Sequence, residues 1–249
     1  MRAITLIKGI ARAVCRNRRH PFTTAIIVAA GNSTRMGGKK QKNLLLVNGA
    51  PVLAHTLIAF QNAPNIKEIV VVARAEDVEH VWDLKDTYQI SKLTAVTHGG
   101  ASRAASVARG FAKINPQAKY VAIHDGARCL ITPEDILRVS RAAYRHRAAT
   151  AAVPVTDTVK IANSRGFIAS TTDRSKVWLA QTPQVFYADL YRAALALTEA
   201  DGLTDDNQLM EKIGYPVKLV KCGKHNLKIT HPDDLSWAEF ILKAREMKQ

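Results

Sequence analysis

The sequence predicts an α/β protein built on a mostly parallel, twisted sheet with helices on both faces, and three observations support this. Short apolar runs rich in β-branched residues, such as AIIVAA at 25–30 and IKEIVVVAR at 66–74, read as strands buried on both sides. These runs alternate with helical patterns, which is the signature of parallel βαβ units. The loops richest in chemistry all follow strands: 31–42, 99–106 and 125–128. In such sheets the ligand sits beyond the carboxyl ends of the strands, so these loops are expected to converge on one edge.

The elements follow in order. After the first strand and its loop, Asn48-Gly49 signals a turn, and Pro51 opens a helix carrying Leu53, Leu57, Ile58 and Phe60. The second strand is 66–74. A polar helix at 76–90 leads to a third strand, LTAVTH, at 93–98. Gly99-Gly100 turns the chain into the helix SRAASVARGFAKI. YVAIHD at 120–125 is the fourth strand, and Thr132 caps a helix beginning at Pro133. TAAVPV is the fifth strand. TVKIA and FIAST flank Asn163-Ser164-Arg165-Gly166 as a hairpin, expected to project as an arm over about 156–178. Helices at about 187–199 and 204–213, strands VKLVKC and LKIT, and a closing helix from Pro232 complete the chain.

Composition narrows the function. The 249 residues suit one large α/β domain or two small ones. No run approaches the roughly 18 apolar residues of a membrane span. Cys15, Cys129 and Cys222 are far apart, which suggests a reducing, cytoplasmic setting and argues against a zinc site. The net charge is +15. Residues 1–22 supply six of those charges (Arg2, Lys8, Arg12, Arg16, Arg18 and Arg19) and no acid, leaving +9 on residues 23–249. A positive body suits a phosphorylated substrate or nucleic acid. Aromatics at 6% are scattered and make a poor stacking surface, so a small anionic substrate is expected rather than nucleic acid. Within 1–22, Ile4, Ile7, Ile10, Ala11 and Val14 recur at helical spacing between arginines. A membrane-surface helix or targeting peptide fits that pattern. A basic extension ahead of the domain, ending near Pro21, is the plainer reading and is preferred.

The loop after the first strand, Gly31-Asn32-Ser33-Thr34-Arg35-Met36-Gly37-Gly38, followed by Lys39, Lys40 and Lys42, offers backbone N–H groups and fixed cations to a polyphosphate. It is not a P-loop, because Met36 stands five residues after Gly31, and it is not a dinucleotide fingerprint, because Ser33 replaces the second glycine. A plain βα turn with a solvated basic helix start is the alternative.

The ordered set VAAGNSTRM with Lys42, GGASRAAS, HDGAR, VTDTVK, DRSKVWLAQTPQ, LTDD and NLKITHPDDL resembles the 2-C-methyl-D-erythritol 4-phosphate cytidylyltransferase family over nearly all of 24–243. The resemblance implies a Rossmann-like nucleotidyltransferase fold, with 23–249 a single cytidylyltransferase domain behind the 1–22 extension. It implies a Mg²⁺-dependent (or other divalent cation) transfer from CTP to a small sugar-alcohol phosphate, by a cytoplasmic homodimer joined through the arm. Catalytic roles then fall on Arg35, Lys42, Lys228 and Asp125, with Asp125 also the metal ligand. Nucleotide binding falls on Ala29, Ala30, Gly31, Ser33, Gly99, Gly100 and Ser106. Acceptor binding falls on Arg128, Thr158, Arg174, Thr182 and Thr204, with Arg174 completing the neighbouring subunit's site. The chain departs from the family pattern at Gln41, where many relatives carry proline, at Ala101, where an acid is usual, and at Cys129, where proline is usual.

Two rival readings remain open. One is a ribitol 5-phosphate cytidylyltransferase with the same loop chemistry. The other is a basic binding protein that keeps this fold with weakened catalysis. His124 beside Asp125 is expected to be structural, Asp157 a turn residue, and Asp205-Asp206 helix-start carboxylates favoured by the dipole.

Overall fold

A computed structural model describes residues 20–31, 41–198 and 202–247. Most of the basic extension, with Cys15, and the loop residues Ser33 and Arg35 lie outside these. The strands are β1 (Thr23–Val28), β2 (Leu46–Val47), β3 (Ala50–Pro51), β4 (Ile66–Ala73), β5 (Leu93–His98), β6 (Tyr120–Asp125), β7 (Ala148–Pro154), β8 (Lys160–Ala162), β9 (Ile168–Thr171), β10 (Trp178–Tyr187) and β11 (Lys218–Lys221). The helices are α1 (Val52–Asn62), α2 (Val78–Thr87), α3 (Arg103–Phe111), α4 (Pro133–His146), α5 (Ala188–Leu197), α6 (Asn207–Lys212) and α7 (Pro232–Glu246).

Seven strands form one sheet in the order β11-β7-β10-β6-β1-β4-β5. All neighbours pair in parallel except β10, which runs antiparallel to both β6 and β7. The apolar runs are strands because both sheet faces are covered. Ile26 and Ile27 of β1 point to opposite faces, both fully buried, and belong to separate core clusters on the two sides. A third cluster, around Val52, Ile229 and Ala238, lies where α7 folds over the loop after β6. Thr132 caps α4 as expected, its hydroxyl accepting from Asp135 N–H at 3.2 Å. The Asn48-Gly49 turn closes a two-residue β2–β3 hairpin with both residues at positive φ, 47° and 79°, which is the backbone such a loop needs.

The arm is present: β8 and β9 pair antiparallel, every residue in them is exposed, and Gly166 at φ 82° serves its turn. Val155 N–H to Val177 O (3.1 Å) closes its base.

Two expectations change. LKIT at 227–230 is not a strand. Asn226 Nδ2 donates to Thr182 O (2.8 Å), and Ile229 N–H donates to Ala127 O, which belongs to a loop, so no ladder can propagate. The stretch is extended because its side chains dock, not because it pairs. Second, 178–187 is a central strand that the sequence reading leaves unassigned. Its pairing with β7 is interrupted between Ala180 and Gln184, the stretch that holds Thr182 and Pro183.

Candidate active site

The strand-end loops do converge. A cavity of about 480 Å³ at the carboxyl ends of the parallel strands is lined by Ala30, Gly31, Lys42, Gly100, Ser106, Asp125 and Lys228, each from the expected site set, together with Ala101 and Arg103.

Its glycines are there for space. A Cβ on Gly99 would stand 2.4 Å from Ala30 Cβ, and one on Gly100 would stand 2.6 Å from Ala105 Cβ. The strand-end loop after β1 and the turn after β5 therefore touch backbone to side chain. Ser106 fixes that turn. Its hydroxyl accepts from Gly100 N–H (3.0 Å) and donates to Ser102 O (2.9 Å), while Ser102 caps α3. Ala29 is buried, and its carbonyl accepts from Asn43 (2.8 Å) and Gln41 (3.2 Å). Gln41 Nε2 also reaches Gly31 O at 3.2 Å. Gln41 thus ties the far end of the loop to its start by side-chain hydrogen bonds.

Asp125 ends β6 at the floor of the cleft, 8% exposed. Lys228 Nζ lies 3.0 Å from its carboxylate, Arg128 Nε 3.5 Å and Arg103 Nε 3.6 Å. Burial alone would favour the protonated acid. Three facing cations overcome it and hold the carboxyl well below the usual carboxylate range. Arg103 also donates to Asp206 at 2.6 Å, and Tyr191 OH donates to the other Asp206 oxygen at 2.7 Å. Burial opposes the Arg103 charge, but the two carboxylates keep its pKa above the ordinary arginine value. Asp206 is 3% exposed and makes no side-chain cap to α6. Its partner is Arg103, so the helix-start reading of Asp206 gives way to a buried ion pair. Asp205 does accept from Gln208 N–H at 3.3 Å in the first turn.

Beneath Asp125 runs a closed hydrogen-bond chain. Asp125 N–H donates to Thr182 Oγ1 (3.1 Å), and Thr182 Oγ1 lies 3.0 Å from His124 Nδ1. His124 Nε2 lies 3.3 Å from Arg128 O. A carbonyl only accepts, so Nε2 carries the proton and Nδ1 accepts from the Thr182 hydroxyl. His124 is fully buried, and burial pulls its pKa down to about 3. It is structural, as expected, and cannot act as a base. Thr182 is 4% exposed with its hydroxyl committed to this chain.

The remaining site residues stand apart from the cavity lining. Thr158 and Arg174 are exposed on the arm, where Arg174 donates to Thr156 O at 2.9 Å. Thr204 is exposed ahead of α6 and donates its N–H to Gln208 Oε1 at 2.8 Å. Arg128 is nearly buried between Asp125 and Asn226 O (2.9 Å). Arg103 was missed by sequence reading, although it sits inside GGASRAAS. Nothing local marks it, because its partners are 22 and 103 residues away.

The profile of the 2-C-methyl-D-erythritol 4-phosphate cytidylyltransferase family matches residues 23–244. The chain belongs to that family. A family member from Syntrophus aciditrophicus (strain SB) is 42% identical over 229 residues, covering 91% of this chain and 98% of that one. Another, from Parasynechococcus marenigrum, is 43% identical over 223 residues, covering 89% and 98%. Among solved structures, the 4-diphosphocytidyl-2C-methyl-D-erythritol synthase of Anaerococcus prevotii superposes with a TM-score of 0.78 at 31% identity, covering 89% of this chain and 98% of that one. The family enzyme of Thermus thermophilus does so at 0.71 and 32% identity, covering 89% and 99%. Family membership gives the cleft its reaction class, cytidylyl transfer.

Proposed function

We propose that this chain transfers a cytidylyl group from CTP to 2-C-methyl-D-erythritol 4-phosphate, giving CDP-methylerythritol and pyrophosphate. Residues 23–249 act as one cytidylyltransferase domain in this reading. The observation that carries it is the cluster of Arg103, Arg128 and Lys228 around one ionised carboxylate, with Lys42 in the wall of the same glycine-walled cleft, in a family member.

An oxygen of the acceptor phosphate attacks the α-phosphorus; the new P–O bond forms as the bond to the β-phosphate oxygen breaks. A phosphate monoester is mostly ionised near neutral pH, so no strong base is needed. That agrees with a cleft whose one histidine neighbour is buried, neutral and fully hydrogen-bonded. The difficulty is to bring two polyanions together, and fixed cations and N–H groups meet it. Lys42 and Arg35 are assigned to the α-phosphate, the latter on sequence alone. Lys228 is assigned to the phosphates. Asp125 holds Lys228, Arg103 and Arg128 in register beneath them. Ala29, Ala30, Gly31, Ser33, Gly99, Gly100 and Ser106 are assigned to the nucleotide. The half-buried paired glycines keep that wall free of side chains, which suits a small pyrimidine.

Among the described residues no group of three or more His, Cys, Asp or Glu could hold a metal by itself. One ionised carboxylate facing a polyphosphate nevertheless fits Mg²⁺, which keeps several waters and takes one or two carboxylates plus substrate phosphates. Asp125 would hold it, and the bound cation would supply charge neutralisation of the triphosphate.

The acceptor is assigned to Arg128, Thr182 and Thr204, with Thr158 and Arg174 reaching a partner's cleft from the arm. A homodimer joined through the arm is supported by its exposed Ile161 (50%), Phe167 (68%) and Ile168 (66%), with Leu179 (58%) exposed beside its base. Action in the cytoplasm is proposed from cysteine usage, since Cys129 and Cys222 are free thiols. No helix among the described residues is long and apolar enough to cross a membrane. Pyrophosphate release measured with CTP and each acceptor tests the reading. Turnover with methylerythritol phosphate is expected, and faster turnover with ribitol 5-phosphate would overturn the acceptor assignment.

A further inference from the structure

Six strands of the sheet run the same way, so their starts share the edge opposite the cleft. Five of those starts carry a cation. Lys67 is the second residue of β4, Lys92 precedes β5, Lys119 precedes β6, Arg147 precedes β7, and Lys218 opens β11. Arg141 and Arg145 join them from the last turns of α4. All seven except the half-buried Lys92 are exposed. Among the described residues none of the seven is within ion-pair distance of a carboxylate, although the fold pairs its cations freely elsewhere. Two acids at this edge are engaged elsewhere, although Asp189 still feels the charge of Lys119. Glu68 is turned inward onto Thr24, Thr94 and Asn115 N–H, and Asp189 pairs with Arg192. The cations feel one another: Lys67 and Arg141 both act on His20, and Lys67 acts on Lys92. A helix C-terminus attracts Arg145. It does not account for five strand tips.

The edge also holds a cavity of about 420 Å³ lined by Arg145, His146, Arg147, Tyr215 and Lys218 with no acid in its wall. The chain enters the fold at the same edge. His20 stands just ahead of the central strand β1, beside Tyr144 at 6.4 Å between rings. The preceding residues carry six further cations and no acid, with isoleucines at helical spacing between them.

We propose that this edge is a docking surface for an anionic phospholipid bilayer, with the Arg145–Lys218 cavity seating a headgroup phosphate. A bilayer is favoured over nucleic acid for two reasons. First, no tyrosine of this edge is exposed among the described residues; Tyr120 is buried and Arg147 covers the ring of Tyr187 at 5.3 Å. Second, the residues ahead of His20 intersperse arginines with isoleucines at helical spacing, a pattern that also fits an interfacial segment. Docking by this edge leaves the catalytic cleft, at the other end of the strands, facing solvent.

The test is co-sedimentation of the full chain with vesicles of pure phosphatidylcholine and of phosphatidylcholine containing phosphatidylglycerol at about 30%. Binding to the anionic vesicles alone, lost on raising the salt, is expected from screening. Arg141→Glu/Arg145→Glu/Lys218→Glu, and the milder triple glutamine variant, should each bind at least about tenfold more weakly, since each cation near an anionic surface contributes severalfold. Both should keep wild-type pyrophosphate release, which reports a folded cleft. Wild-type vesicle binding in both variants would show that the N-terminal segment acts alone and would overturn the proposal. So would no vesicle binding by the full chain, or tighter binding to single-stranded RNA than to the anionic vesicles.

Discussion

Acid should unfold this protein partly through His124. The side chain is fully buried, its Nδ1 accepts from Thr182 and its Nε2 donates to Arg128 O. Burial pulls its pKa down to about 3, against roughly 6.5 in the unfolded chain. Between those values the unfolded chain binds a proton that the folded chain refuses, so stability falls as pH drops through this window and levels off below about 3. The limiting slope is about 1.4 kcal/mol per pH unit. From pH 7 to pH 5 this single group therefore removes about 2 kcal/mol, or about 4–8 °C of Tm for a chain of this size. The assay is thermal denaturation at pH 7 and pH 5, for the wild type and for His124→Asn. The variant starts lower at pH 7, because Thr182 and the Arg128 carbonyl lose their fixed partner. It should then lose less on acidification, by about that interval. Equal losses in both proteins would refute the neutral, buried histidine.

Lys42→Ala or Lys228→Ala should each lower kcat by about 10²-fold or more, as removal of a transition-state donor does; normal kcat in steady-state pyrophosphate release contradicts the role. Arg103→Met strands Asp206 in the interior with only Tyr191 OH and should cost about 2–4 kcal/mol in denaturant titrations, with Arg103→Met/Asp206→Asn recovering most of it but not the activity. A double variant no more stable than the single breaks that account. Gly99→Ala must push Ala30 or Ser106 aside and should cost about 1–3 kcal/mol along with a raised KM for CTP; an unchanged Tm and KM means the strand-end loops do not touch. Arg174→Ala should raise the KM for the acceptor while sparing CTP, and an unchanged acceptor KM leaves the arm purely structural.

Much of the fold and the cleft was legible because it is encoded locally. The apolar runs at β1, β4 and β6 announce strands buried on both faces, and the loops after β1 and β5 carry Gly31, Lys42 and Gly100, which line the cavity. What stayed hidden depends on distance along the chain. Arg103 acquires its meaning from Asp125 and Asp206. LKIT has the alternation of a strand, but Ile229 fills a core cluster against a loop and finds no neighbour to pair with. β10 reads as a polar connection because Gln181, Thr182 and Gln184 look solvated, whereas all three are buried and spend their polar groups on His124, Asp125, Asp206 and Asn226.

One further consequence concerns β10. It leaves the arm at Trp178, passes Thr182 under Asp125, and ends at Tyr187. The limb that would meet a second subunit and the hydroxyl bonded to the cleft floor are thus four residues apart on one strand. In the proposed dimer a displacement of the hairpin would reach Asp125 along β10 and through the single Thr182 hydroxyl, so seating of the arm and alignment of the cleft floor are expected to be coupled.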